Sequence, residues 1–246
     1  MHETPAAMTV MTAEDPTSAV APWWHTALLI ALLAGGSVLN ARQAHHGALE
    51  AHHATRYLGG IAAEWVLCLL VWWGLRMKRV PLAQVLGFRN GLRALGEDLI
   101  AAGIFWIISL MVLASIGVLM QLLHWGTPQK TLAALAPRNA TEMLLWVALS
   151  ASAGFVEELT FRGYFLRQFS SPLRALWVGV AASSLVFGIS HAYEGAAGMI
   201  AIGVYGALFC VLAILRRSLR PGMIAHAWHD IFSGVMLAVA HHFHVV

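Results

Sequence analysis

The chain has 246 residues, 59% hydrophobic and 11% charged, with a formal net charge of +3. A soluble domain carries about 25% charged residues, so this composition excludes one, and a mean hydropathy of +0.70 points to a polytopic membrane protein with one integral domain. So small a positive excess, carried mostly by loops, gives no basis for nucleic-acid binding.

Residues 1–20 contain Glu3, Glu14 and Asp15 but no Lys or Arg. They lack the basic start and apolar core of a secretory signal and are expected to form a flexible tail ahead of an integral domain over 21–246. Seven apolar spans of near-membrane length follow, at about 23–39, 57–75, 99–123, 143–169, 173–192, 196–215 and 221–243. The expected fold is an all-α bundle of about seven transmembrane helices around a buried polar chamber. Trp23, Trp24, Trp72, Trp73, Trp125 and Trp177 lie near span ends, as an interfacial aromatic belt requires.

The cations set an expected orientation. Arg76, Lys78, Arg79, Arg89 and Arg93 follow the second span, Arg167 and Arg174 the fourth, and Arg216, Arg217 and Arg220 the sixth. Arg42, Arg56, Lys130 and Arg138 lie on the other side. The positive-inside rule then puts the N-terminus in the cytoplasm and the C-terminus outside. Residues 81–95 mix apolar side chains with Arg89 and Arg93 and suit a short amphipathic segment along the interface. Cys68 and Cys210 sit in apolar runs and form no metal or disulfide pattern.

The fourth span carries F-V-E-E-L-T-F-R-G at 155–163. Ionisable groups inside a membrane helix persist when they are paired or used. Glu158 and Arg162 are four apart, acid first, and suit an ion pair on one helix face. Glu157 points about 100° away around an α-helix, which leaves it unpartnered and free for chemistry. The fifth span ends F-G-I-S-H, with Phe187 and His191 one turn apart. The seventh opens H-A-W-H-D, with His226 and Asp230 four apart and hence on one face. Together these groups would line one buried polar chamber.

The three patterns E-E-x-x-x-R (Glu157, Glu158, Arg162), F-x-x-x-H (Phe187, His191) and H-x-x-x-D (His226, Asp230) resemble the motifs of the CPBP intramembrane proteases, the CAAX protease and bacteriocin-processing family. Each motif is weak alone; the three in this order on adjacent spans are specific. The resemblance covers about 140–240. It implies an all-helical endopeptidase acting within the membrane, with Glu157, His191, His226 and Asp230 catalytic and Glu158, Arg162 and Phe187 supporting. It implies a peptide or protein substrate met at the lipid bilayer, and it does not establish that the substrate is prenylated. Some relatives carry Asn in place of Asp230; an Asn amide donates a hydrogen bond that an ionised Asp cannot.

Two chemistries suit these residues. In one, Glu157 with His191 deprotonates a water and His226 donates to the oxyanion. In the other, Glu157, His191 and His226 hold a zinc ion, although no H-E-x-x-H motif is present. A proton-coupled transporter with Glu157, His191, His226 and Asp230 as a relay is the alternative function; the lack of an internal repeat counts against it. One difficulty is geometric: Glu157 lies 13 residues before Ser170 and His191 lies 19 after Pro172, a depth mismatch of about 9 Å at 1.5 Å per residue. Lesser candidates are His46, Glu50 and His53 as a loop metal site, His229 as a substitute for His226, and Glu64 facing the chamber.

Overall fold

The computed structural model describes the backbone of residues 17–45, 53–125 and 135–243. His46, Glu50 and Lys130 lie outside the described residues. Every regular element among the described residues is helical: α1 (Trp23–His45), α2 (His53–Met77), α3 (Leu82–Leu86), α4 (Leu92–Leu122), α5 (Ala140–Glu157), a π-helical segment (Glu158–Phe165), α6 (Leu166–Ser170), α7 (Leu176–Ser190), a 3₁₀ turn (Ala192–Glu194), α8 (Gly195–Arg216) and α9 (Arg220–His242). Six of the helices are long and apolar enough to cross a membrane, with α5, the π segment and α6 forming one span of 31 residues. The shorter apolar α7 completes the expected seven.

Helix ends differ from the expected spans for local reasons. α5 begins at Ala140 because Asn139 caps it, its side chain accepting from Glu142 N at 2.9 Å. α4 extends back to Leu92 and takes in the end of the expected interfacial segment, 92–95; α3 holds Leu82–Leu86 and stops at Gly87 in the left-handed conformation. The stretch 17–20, expected in the flexible tail, is docked. Thr17 and Val20 are buried, and the Gln168 side chain accepts from Val20 N and Ala21 N and donates to Ala21 O.

α7 begins at Leu176 rather than 173, because the chain turns through 171–174 before Ala175 starts the helix. Four fewer helical residues before His191 remove about 6 Å of the expected depth mismatch. At 15 residues, α7 spans about 22 Å, short of the roughly 30 Å hydrocarbon layer. His191 caps its C-terminus, where the chain breaks into the 3₁₀ turn.

α5 lies between α2 and α9, and α7 packs on α8. Glycines permit the closest crossings. A Cβ on Gly154 would sit 2.8 Å from Met223 O and 2.9 Å from Ala227 N, so α5 and α9 touch at their backbones. At one end of the bundle Asp98, buried at the start of α4, pairs with Arg89 (2.9 Å), Arg216 (3.1 Å) and Arg220 (3.4 Å). That carboxylate ties the α3–α4 connection to the α8–α9 connection. The hydrogen bond holds the Arg89 guanidinium charged, its pKa raised above the usual value.

Candidate active site

The π segment carries the first motif. All eight of its residues are buried, including Glu158, Thr160 and Arg162. Its wide turns change which groups share a face, and π segments recur at functional sites. Thr160 Oγ1 donates to Val156 O at 2.7 Å, and Ser183 Oγ from α7 donates to Phe161 O at 2.7 Å, so hydroxyls supply backbone partners here. Snorkelling of these charges to headgroups is excluded: Glu158 is 1% exposed and Arg162 2%.

The expected Glu158–Arg162 pair forms, with Arg162 Nη1 donating to Glu158 Oε1 at 2.9 Å. Arg162 Nη2 donates to Gly206 O at 3.1 Å. The guanidinium lies 4.4 Å from the ring centre of Phe187 and 4.8 Å from that of Phe209, a desolvated cation–π arrangement. Gly206 leaves room for it; a Cβ there would sit 2.9 Å from Phe187 Cδ1 and 3.4 Å from Arg162 Nη2.

The pair does more than neutralise itself. Glu158 Oε1 also accepts from His226 Nδ1 at 3.0 Å. With Nδ1 held there, His226 Nε2 faces Glu157 Oε2 at 3.6 Å and Asp230 Oδ2 at 3.8 Å. Phe209 stacks on the His226 ring at 5.2 Å between centres, and Phe187 meets its edge at 6.2 Å. A Cβ on Gly222 would come within 2.9 Å of Glu158 Oε2, so that glycine lets α9 approach. Trp146 Nε1 donates to Asp230 O at 2.8 Å and fixes α9 one turn further on.

Glu157 Oε2 is buried and has no hydrogen-bond partner. Glu157 was expected to be unpartnered, but its Oε2 forms an ion pair with His226 Nε2 at 3.6 Å, so the two carboxylates are divided between the two nitrogens of His226. His191 is oriented by its own helix: Nδ1 donates to Phe187 O at 2.9 Å. A carbonyl only accepts, so Nδ1 carries a proton. Among the described residues His191 makes no ion pair with Glu157, whose imidazole partner is His226.

His229 does not substitute for His226. Its ring lies 4.9 Å from Tyr205, and its Nδ1 is buried without a partner. His53 pairs with Glu142 at 3.3 Å, joining the starts of α2 and α5. Glu64 is half-buried on α2, and its Oε2 is buried without a hydrogen-bond partner. Among the described residues no three His, Cys, Asp or Glu side chains are arranged to hold a metal ion, which gives the expected zinc at Glu157, His191 and His226 no support.

Residues 139–232 match the family model described as "Rce1-like: Type II CAAX prenyl endopeptidase Rce1-like". The matched segment contains all three motifs and agrees with the resemblance carried by their residues. It supports, at the level of the family, a membrane endopeptidase. No curated protein and no solved structure matches the chain.

Proposed function

We propose that this chain is an intramembrane endopeptidase that hydrolyses peptide bonds with a water activated by Glu157. The observation that carries the reading is the buried Glu157 Oε2, free of hydrogen bonds and facing His226 Nε2 at 3.6 Å. A water in hydrogen-bond reach of both atoms is oriented and deprotonated by the carboxylate. Its oxygen attacks the scissile carbonyl carbon, and its proton passes to Glu157. As the carbon–nitrogen bond breaks, that proton moves to the leaving amine and Glu157 returns to its starting state.

His226 acts as the oxyanion donor. Glu158 fixes its Nδ1–H, and the carboxylates of Glu157 and Asp230 at Nε2 suit the imidazolium form, with a donor at each ring nitrogen. A donor placed where negative charge develops lowers the barrier without reorganising. Arg162 balances the charge of Glu158. Asp230 holds the imidazolium rather than donating to substrate. His191 presents Nε2 as an acceptor for the attacking water or the leaving group. The gathering of Arg89, Arg216 and Arg220 around Asp98 supports a cytoplasmic end there, with the N-terminus cytoplasmic and the C-terminus outside.

The test needs no prior substrate. Membranes containing the wild-type protein or Glu157→Gln at equal abundance are surveyed by mass spectrometry for new peptide termini. The expected result is a set of termini present only with the wild type. Identical surveys would remove the proposal.

A further inference from the structure

α1 lies outside the segment 139–232 that matches the family, yet one of its side chains reaches the site. Ser37, inside α1, is 4% exposed. A serine within a helix commonly returns its hydroxyl to a carbonyl one turn back. Ser115 does so to Met111 O, Ser150 to Trp146 O and Ser170 to Leu166 O, at 2.7–2.8 Å. Ser37 Oγ instead leaves its own helix. It donates to Ile189 O at 2.8 Å and accepts from Ala192 N at 3.3 Å, where α1 packs along α7 and the 3₁₀ turn.

Those two backbone groups bracket His191. The α-helix ends at Ser190, and 3₁₀ bonding takes over with Glu194 N donating to His191 O at 2.9 Å. His191 stands between the two, at φ −105° and ψ 24°, off the α-helical conformation. A helix end leaves backbone groups in need of outside partners, and the single hydroxyl of Ser37 serves one carbonyl and one amide at once. The imidazole is held by the same turn. Nδ1 donates to Phe187 O at 2.9 Å and lies 3.2 Å from Ser190 Oγ, which itself donates to Phe187 O at 2.7 Å. The direction in which Nε2 points therefore depends on where this last turn stops.

We infer that Ser37 is a positioning residue for His191: its hydroxyl staples Ile189 O to Ala192 N, fixes the point at which α7 breaks, and so aims the imidazole into the site. This rests on the hydrolytic reading, in which His191 Nε2 meets the attacking water or the leaving group. It also means that the segment matching the family does not carry all that its site needs, because α1 completes the mount of one histidine. With alanine at 37, a buried carbonyl and a buried amide lose their partner, and the turn shifts to find others. A displacement of about 1 Å at a reacting group costs about a hundredfold in rate.

The test uses the full-length protein in detergent micelles and a peptide cut by the wild type, found in the survey of membrane termini. Ser37→Ala should lower kcat about ten- to a hundredfold and leave KM within about threefold. Ser37→Thr keeps a hydroxyl that donates and accepts, and should recover kcat to within about threefold of the wild type. Magnetic resonance of protein carrying isotope-labelled histidine gives a readout independent of turnover. The His191 ring signal, assigned by its absence in His191→Gln, should shift in Ser37→Ala and return in Ser37→Thr. A tie that only holds helices together would lower the unfolding midpoint and leave the kcat of folded protein and the His191 signal in place. Where Ser37→Ala does not fold, Ser37→Cys decides: its weakly bonding thiol should lower kcat and shift the signal in the same sense.

An unmoved His191 signal, or a kcat within about twofold of the wild type where a misplaced group predicts at least about tenfold, would overturn this inference; with Glu157→Gln inactive, the hydrolytic reading would stand. Full activity in Glu157→Gln would overturn both.

Discussion

Arg162→Met tests whether the charge network is built as described. Methionine preserves length and apolar packing but removes a cation that donates to Glu158 Oε1 and Gly206 O and lies between the rings of Phe187 and Phe209. Both partners of the ion pair are almost wholly buried. Removing one leaves an uncompensated charge, which costs about 3–5 kcal/mol. Glu158→Gln should cost about 3 kcal/mol for the same reason, since Arg162 then loses its counter-charge. The double variant removes both charges, so the two losses should not add; a coupling of about 2–3 kcal/mol is expected. Denaturant unfolding in detergent micelles, followed by tryptophan fluorescence, measures all three. Additive losses, with coupling below about 0.5 kcal/mol, would refute the shared burial of these charges.

Three other outcomes follow from the same geometry. His226→Gln should abolish cleavage, whereas His229→Gln should retain it within about tenfold, because only His226 faces the Glu157 carboxylate; rates on a peptide cut by the wild type measure this. Gly206→Ala should destabilise the protein by about 1–3 kcal/mol, since the added methyl meets Phe187 and Arg162; the unfolding midpoint reports it. A chelator titration should leave the rate unchanged, because no three donor side chains among the described residues are arranged to hold a metal ion; loss of activity restored by zinc would show that they close around one.

Much of the site was legible because its chemistry stands out against apolar sequence. Glu158 and Arg162 at four-residue spacing gave the pair, and His226 with Asp230 at the same spacing gave a shared face. The double use of Glu158 was not legible. It depends on how closely α9 approaches the π segment, which Gly222 and Phe209 permit from distant positions in the chain. The π register of Glu158–Phe165 was also hidden. No residue type marks it, and partners such as Ser183 Oγ come from another helix. The short α7 could be read only in part: Pro172 signalled a turn, but the helix waits until Leu176. Asp98 at the start of α4 carried no local sign of the three arginines it gathers, because two of them lie over a hundred residues away. The docking of 17–20 was missed because its anchor is one side chain, Gln168, in an otherwise unremarked helix.

The most direct measurement is the turnover of purified Glu157→Gln protein on a peptide cut by the wild type. Glutamine keeps the shape of the side chain and removes the base. The expected result is a kcat lower by about 10²–10⁴, an unfolding midpoint close to the wild type, and an intact Glu158–Arg162 coupling. A kcat within about threefold of the wild type, where loss of a general base predicts at least a hundredfold, would show that another group activates the water.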